Sequence, residues 1–103
     1  MSSKDDTSEL ITRLNRETAK IEWHQLQKHY AFGSVISVAP GFDLIKVAIA
    51  LHRDDTAQVK QWLAKKLVTE VNDTQAQRWY DEKTSVWALV IPPFVLVQET
   101  KPS

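Results

Sequence analysis

The chain has 103 residues, thirteen basic and thirteen acidic, with 43% hydrophobic residues, 25% charged residues and no cysteine. That length suits one domain, which buries roughly two-thirds of the surface its unfolded chain exposes, and the composition is too apolar for a disordered chain. A zero net charge gives no long-range pull toward nucleic acid or anionic lipid, and the lack of cysteine removes disulfides, thiolate nucleophiles and cysteine-ligated metals.

The opening Met1-Ser2-Ser3-Lys4-Asp5-Asp6 has no apolar run of the kind a secretory signal needs. The longest apolar stretch, Val86 to Val97, carries two prolines and falls short of the ~20 residues of a membrane helix. A cytoplasmic location is therefore expected, in keeping with the reducing compartment that a cysteine-free chain suits. Residues 1–7 and 100–103 read as flexible tails around a single domain at 8–99.

Asp6 with Glu9 three residues on resembles a capping box, which starts a helix near Thr7. Leu10, Ile11, Leu14, Thr18 and Ile21 follow at helical spacing, and Trp23, Leu26, Gln27 and Tyr30 share a second face that ends at Gly33. The spacing predicts helices over about 7–20 and 22–32, either separate or as one kinked helix. Val35 to Ala39 is rich in β-branched residues and predicts a strand. In Pro40-Gly41 the proline presets φ and the glycine accepts a positive φ, which predicts a type II or related turn. Leu44, Ile45, Val47, Ile49 and Leu51 then fit a second strand over 44–51. Leu44, Val47, Ala48 and Leu51 fit a helix over 43–53 as well; the strand is preferred because a turn beside a clear strand usually closes a hairpin.

Asp55 with Gln58 predicts the capped start of a helix over 55–66, with Val59, Trp62, Leu63 and Leu67 on one face. A short strand fits Leu67 to Val71. Asn72 to Gln75 repeats the capping chemistry before a helix over 73–82, whose inward residues are Ala76, Trp79 and Tyr80. The uninterrupted apolar run of 86–91 predicts a central strand covered on both faces, and 94–98 a last strand. Pro92-Pro93 between them must mark a turn, bulge or edge, since neither proline donates to a ladder. The expected fold is α+β: one small domain with two N-terminal helices, or one kinked helix, then a mainly antiparallel sheet of about four strands (35–39, 44–51, 86–91, 94–98) with helices at 55–66 and 73–82. Val38 to Ile45 also echoes Val90 to Val97, and the same offset carries helix 22–32 onto 74–84. The echo reads as chance or as two helix–hairpin halves joined by helix 55–66.

Little in the chain points to catalysis. His24 and His29 are five apart, about 140° around a helix, and cannot share a metal there. His52-x-Asp54 supplies at most two ligands, and both Asp54 and Asp55 are explained as helix caps, so no metal site is assigned. Trp23, Trp62 and Trp79 sit in register with aliphatic residues and Trp87 lies in an apolar strand, which makes at least three of the four core. Lys60, Lys65 and Lys66 suit a helix C-terminus. With two glycines there is no phosphate-binding loop, and no Gly-x-Ser-x-Gly elbow occurs. No cofactor is implied. Asn15 to Lys20 is the segment to test: Asn15 and Thr18 are poor helix formers near a helix end, and Glu17 either pairs with Arg13 or Lys20 or joins a polar groove walled by Trp23.

Leu14-Asn15-Arg16-Glu17-Thr18-Ala19-Lys20-Ile21-Glu22-Trp23, Val38-Ala39-Pro40, Asp43-Leu44, Asp54-Asp55, Trp62 and Pro93-Phe94-Val95-Leu96-Val97-Gln98 resemble a family of short bacterial proteins of unknown function. The likeness spans about residues 9 to 99. It implies a bacterial cytoplasmic protein and singles out Asn15, Glu17, Thr18 and Trp23, without assigning an activity or a cofactor. The preferred expectation is a non-catalytic interaction or structural module that self-associates or binds a protein partner. The alternative is a small enzyme or ligand-binding protein built around Asn15, Glu17 and Thr18. A nucleic-acid module comes third, and no membrane partner is expected.

Overall fold

The computed structural model describes residues 3–99, with side chains from residue 8 onward. The chain runs α1 (Ser3–Glu17), β1 (Ala19–Glu22), a 3-10 turn (Trp23–Leu26), α2 (Gln27–Ala31), β2 (Val35–Val38), α3 (Leu44–His52), α4 (Thr56–Ala64), β3 (Val68–Glu70), α5 (Asp73–Asp81), β4 (Ser85–Ile91) and β5 (Phe94–Gln98). The strands form one sheet in the order β1-β4-β5-β2-β3. It is mainly antiparallel; only β2 and β5 pair in parallel.

Because the sheet is buried on both faces, its strands carry two cores. Val38, Val68, Leu89, Ile91 and Leu96 meet Leu14 of α1, Leu44, Val47 and Ala48 of α3, and Trp62 of α4. The alternate residues Val35, Val86, Ala88, Val95 and Val97 meet Trp23, Leu26, Ala76 and Trp79 from the 3-10 turn and α5. Central β5 is buried from Val95 to Gln98, as its unbroken apolar run requires. On the second face Trp23 is edge-on to Trp79 at 4.9 Å and to Tyr30 at 5.6 Å between ring centroids. These are favoured aromatic geometries.

Two expected elements differ. Residues 44–51 form helix α3, not a strand, so Pro40-Gly41 leads into a helix and not a hairpin. The Asp43 carboxylate decides between the two periods: it accepts from the backbone N–H of Ile45 at 3.0 Å and Lys46 at 3.3 Å, which caps the helix start. The lanes beside β2 are already filled by β5 and β3. The N-terminal helices are also interrupted by a fifth strand. Thr18 ends α1 by donating both its N–H (3.0 Å) and its Oγ1 hydroxyl (2.7 Å) to the Leu14 carbonyl. Ala19 to Glu22 then pair with β4. The sequence hides β1 because it is four residues long and only Ile21 turns inward. Helix α1 begins earlier than Thr7; the Asp6 capping box and most of both expected tails lie outside the described side chains.

Asp55 and Asn72 cap as expected, accepting from Gln58 N–H at 3.2 Å and Gln75 N–H at 2.7 Å. Ile11, Leu63 and Tyr80 face outward instead of joining their stripes. Helices α2 to α5 all end in a Schellman motif: the N–H of Ser34, Asp55, Leu67 and Thr84 donates five residues back, to His29, Ala50, Trp62 and Trp79. The left-handed residue is Gly33 in the first, but Asp54, Lys66 and Lys83 in the others. The internal echo thus reduces to a shared helix–strand unit. After it, the first copy turns into α3 and the second, through Pro92-Pro93, reverses into β5.

Candidate functional site

The structure separates the residues singled out near the end of α1. Asn15 is exposed, and its Nδ2 donates to the Ile11 carbonyl at 2.9 Å. It lines a depression of about 370 Å³ with Asp43 and Lys46, between α1 and α3. Glu17 is exposed and pairs with Arg13 at 3.7 Å, one helical turn back. Thr18 closes α1. Trp23 is fully buried in the second core, so it walls no groove shared with Asn15. His24 lies against Tyr80, at 4.4 Å between rings, and His52 sits at the exposed end of α3. Among the described residues no group of three His, Asp or Glu side chains could hold a metal.

A more apolar concavity opens on the other side of the same layer. The Schellman turn at Asp54 brings α3 back into α4, and the Pro92-Pro93 turn folds β4 onto β5 beside that corner. Between them lies a groove of about 400 Å³ walled by Leu51, Val59, Pro92, Pro93 and Phe94, with Ala50 at its base. Pro92 and Pro93 are exposed, and Leu51, Val59 and Phe94 are half-buried. The lip is charged: Asp54, Asp55 and Lys60 stand around it. Asp55 is committed to its cap, while the left-handed backbone of Asp54 (φ 54°) belongs to the turn at the rim. A volume in this range, apolar walls and a few polar rim groups describe a site that captures an apolar group by contact.

The model of a family of proteins of unknown function, DUF2288, matches residues 9–99. The chain belongs to this family. The DUF2288 chain is also similar to the NMR solution structure of PA1075 from Pseudomonas aeruginosa, at 34% identity and a TM-score of 0.78, over 98% of this chain and 94% of that one. No curated protein matches it. Several residues that carry the family resemblance are joints of the fold, and Asp54, Pro93 and Phe94 line the groove. Thr18 closes α1, Asp43 caps α3, Asp55 caps α4, and Gln98 ties β5 to the turn before α3. Sequence reasoning missed the groove because its walls come from two stretches, 50–60 and 92–94, far apart in the chain. Pro92-Pro93 next to an apolar strand was the one local sign of it.

Proposed function

We propose that this DUF2288 protein is a non-catalytic interaction module that seats aliphatic side chains of a partner polypeptide in the groove between the α3–α4 corner and the β4–β5 turn. What supports this reading is the continuous apolar wall of Leu51, Val59, Pro92, Pro93 and Phe94, left open on the surface inside a charged lip. Burying one aliphatic side chain is worth about 1.5–3 kcal/mol. A short segment with two such anchors therefore binds between about 6 mM and about 40 μM, and the rim must supply the rest of a physiological affinity. A bacterial cytoplasmic setting is part of the proposal, supported by the absence of cysteine and by the bacterial origin of the similar structure. No described helix is long and apolar enough to cross a membrane.

The test is an amide-detected NMR titration with capped pentapeptides that carry either two leucines or two serines. Leucine peptides are expected to shift amides of residues 50–60 and 92–94, and Val59→Asp to abolish the response. Absence of shifts at several millimolar, or shifts of equal size with serine peptides, rules the groove out. Sedimentation of the free protein identifies one partner directly: self-association that Val59→Asp removes makes the occupant a second copy.

A further inference from the structure

The opposite face of the sheet carries a second concavity of different chemistry. It has a volume of about 310 Å³ and lies between α2 and α5, lined by Gln27, Tyr30, Asp73, Ala76, Gln77 and Tyr80. The small Ala76, itself buried, leaves room at the base, and Tyr30 and Tyr80 stand at the sides. Tyr80 is held by its contact with His24, whose ring nitrogen Nε2 lies 3.1 Å from the Tyr80 carbonyl. The Tyr30 hydroxyl donates to Asp73 Oδ1, which orients the carboxylate and leaves its second oxygen free to accept from a ligand. That hydrogen bond, with desolvation and the Asp73 charge, pushes the Tyr30 hydroxyl above its ordinary pKa.

Two buried donors adjoin this pocket without a partner. They are Gln27 Nε2, enclosed behind the part of the wall that the Gln27 side chain forms, and Trp23 Nε1, on the indole packed edge-on against Tyr30. Unpaired buried donors are uncommon, because each forfeits its hydrogen bond to water. Here one of them belongs to a side chain that lines a cavity beside an oriented carboxylate. The site therefore asks for a ligand that donates to Asp73 and accepts from Gln27 within one edge, and whose ring can lie against the tyrosines that line it.

We propose that the pocket between α2 and α5 binds an aminated planar heterocycle, of the adenine or cytosine type, with its exocyclic amine on Asp73 and its adjacent ring nitrogen on the Gln27 amide, which turns from its enclosed position into the pocket to gain the partner it lacks. The volume, at the small end of ligand sites, holds a single ring system. None of the six lining residues is cationic, so the match is to the base and not to a phosphate. Stacking on aromatic side chains is the usual way that proteins hold such rings. This proposal is independent of the apolar groove, which lies over the other core.

The test titrates the full chain with adenosine, cytidine, uridine and inosine, and reads backbone amide shifts. Uridine and inosine reverse the donor and acceptor on the reading edge. Adenosine and cytidine are expected to shift residues 27–30 and 73–80 and to bind at least tenfold more tightly than uridine or inosine. Asp73→Asn is expected to lose at least tenfold for adenosine while its far-ultraviolet spectrum stays unchanged. A short single-stranded adenine oligonucleotide binding more tightly than adenosine points to an unpaired base in a strand as the source; equal affinity points to the free nucleoside. Equal binding of all four nucleosides, no binding at 10 mM (about 2.7 kcal/mol of affinity), or shifts confined to other residues overturns the proposal on the wild-type protein alone.

Discussion

Replacing Gln98 with leucine should cost about 2–3 kcal/mol. Gln98 is buried at 1% exposure on β5, and its Nε2 donates to the carbonyls of Ala39 (2.8 Å) and Phe42 (2.6 Å). Those carbonyls bracket the turn that carries β2 into α3, the turn that positions the Asp43 cap and sets Phe42 edge-on to Trp62 at 5.3 Å. Leucine removes two hydrogen bonds, each worth about 1 kcal/mol net, and leaves the Phe42 carbonyl without its Gln98 donor at about 1–3 kcal/mol. The Ala39 carbonyl retains the Phe42 N–H at 3.0 Å, which limits its loss. The offset is real as well: Gln98 Oε1 is buried with no partner, and leucine removes that penalty while adding apolar contact. With an m-value of about 1–2 kcal/mol/M for a chain of this size, the urea midpoint should fall by about 1–3 M. Amide exchange should accelerate first in residues 39–47. Gln98→Glu should be worse than leucine, because a carboxylate would face two carbonyl oxygens in a buried site. A leucine variant within 0.5 kcal/mol of wild type would show that the clamp contributes nothing net and that the turn is held by its own bonds.

Two further outcomes follow from particular residues. Lys83 ends α5 in the left-handed region (φ 52°); Lys83→Gly relieves about 1–2 kcal/mol of that strain against about 0.5–1 kcal/mol of added chain entropy. A net gain of about 0.5–1 kcal/mol in urea unfolding is expected, and a loss would mean that the lysine side chain makes a contribution of its own. Tyr30 has a raised hydroxyl pKa in the folded state, caused first by its hydrogen bond to Asp73. The folded state therefore holds the proton more tightly than the unfolded one, so this contribution is complete below about pH 10 and disappears as pH rises through the folded value. Wild type should lose stability above pH 10 more steeply than Tyr30→Phe, and parallel profiles would contradict the linkage.

How far the sequence could be read depended on whether the deciding interaction was local. Helices α4 and α5 were legible because Asp55 and Asn72 carry their own cap signals within three residues. The tryptophan core was legible because Trp23, Trp62 and Trp79 repeat at helical spacing with aliphatic neighbours. Strand β1 was not, since Lys20 and Glu22 are polar and only pairing with Trp87 and Ser85 makes the segment extended. Helix α3 was ambiguous by pattern, because Leu44, Ile45, Val47, Ala48 and Ala50 are all buried and so satisfy both periods. Asp43 held the answer, because its carboxylate caps the helix start. The sites were the least visible. The groove draws on residues 50–60 and 92–94, and the polar pocket joins Tyr30 to Asp73, 43 positions away.

The distribution of those sites constrains what the fold can do with them. The groove rests on the core of α1, α3 and α4, and the polar pocket on the core of α2 and α5; between the two runs the sheet, with β5 buried on both faces. No residue lines both concavities. Substitutions far apart with no shared partner act additively, so Val59→Asp should leave nucleoside shifts unchanged and Asp73→Asn should leave leucine-peptide shifts unchanged. A change in one site caused by the other would have to travel through β4 and β5, whose close-packed valines and leucines leave little room for a second arrangement. Of the resemblance-bearing residues, Asp54, Asp55, Pro93 and Phe94 stand at the groove, whereas Thr18, Asp43 and Gln98 line neither the groove nor the polar pocket, and Thr18, Asp43, Asp55 and Gln98 each commit a polar atom to closing a turn or capping a helix. Their chemistry builds the scaffold. The scaffold in turn holds Val59 and Pro93 at one open face and Gln27 and Asp73 at the other.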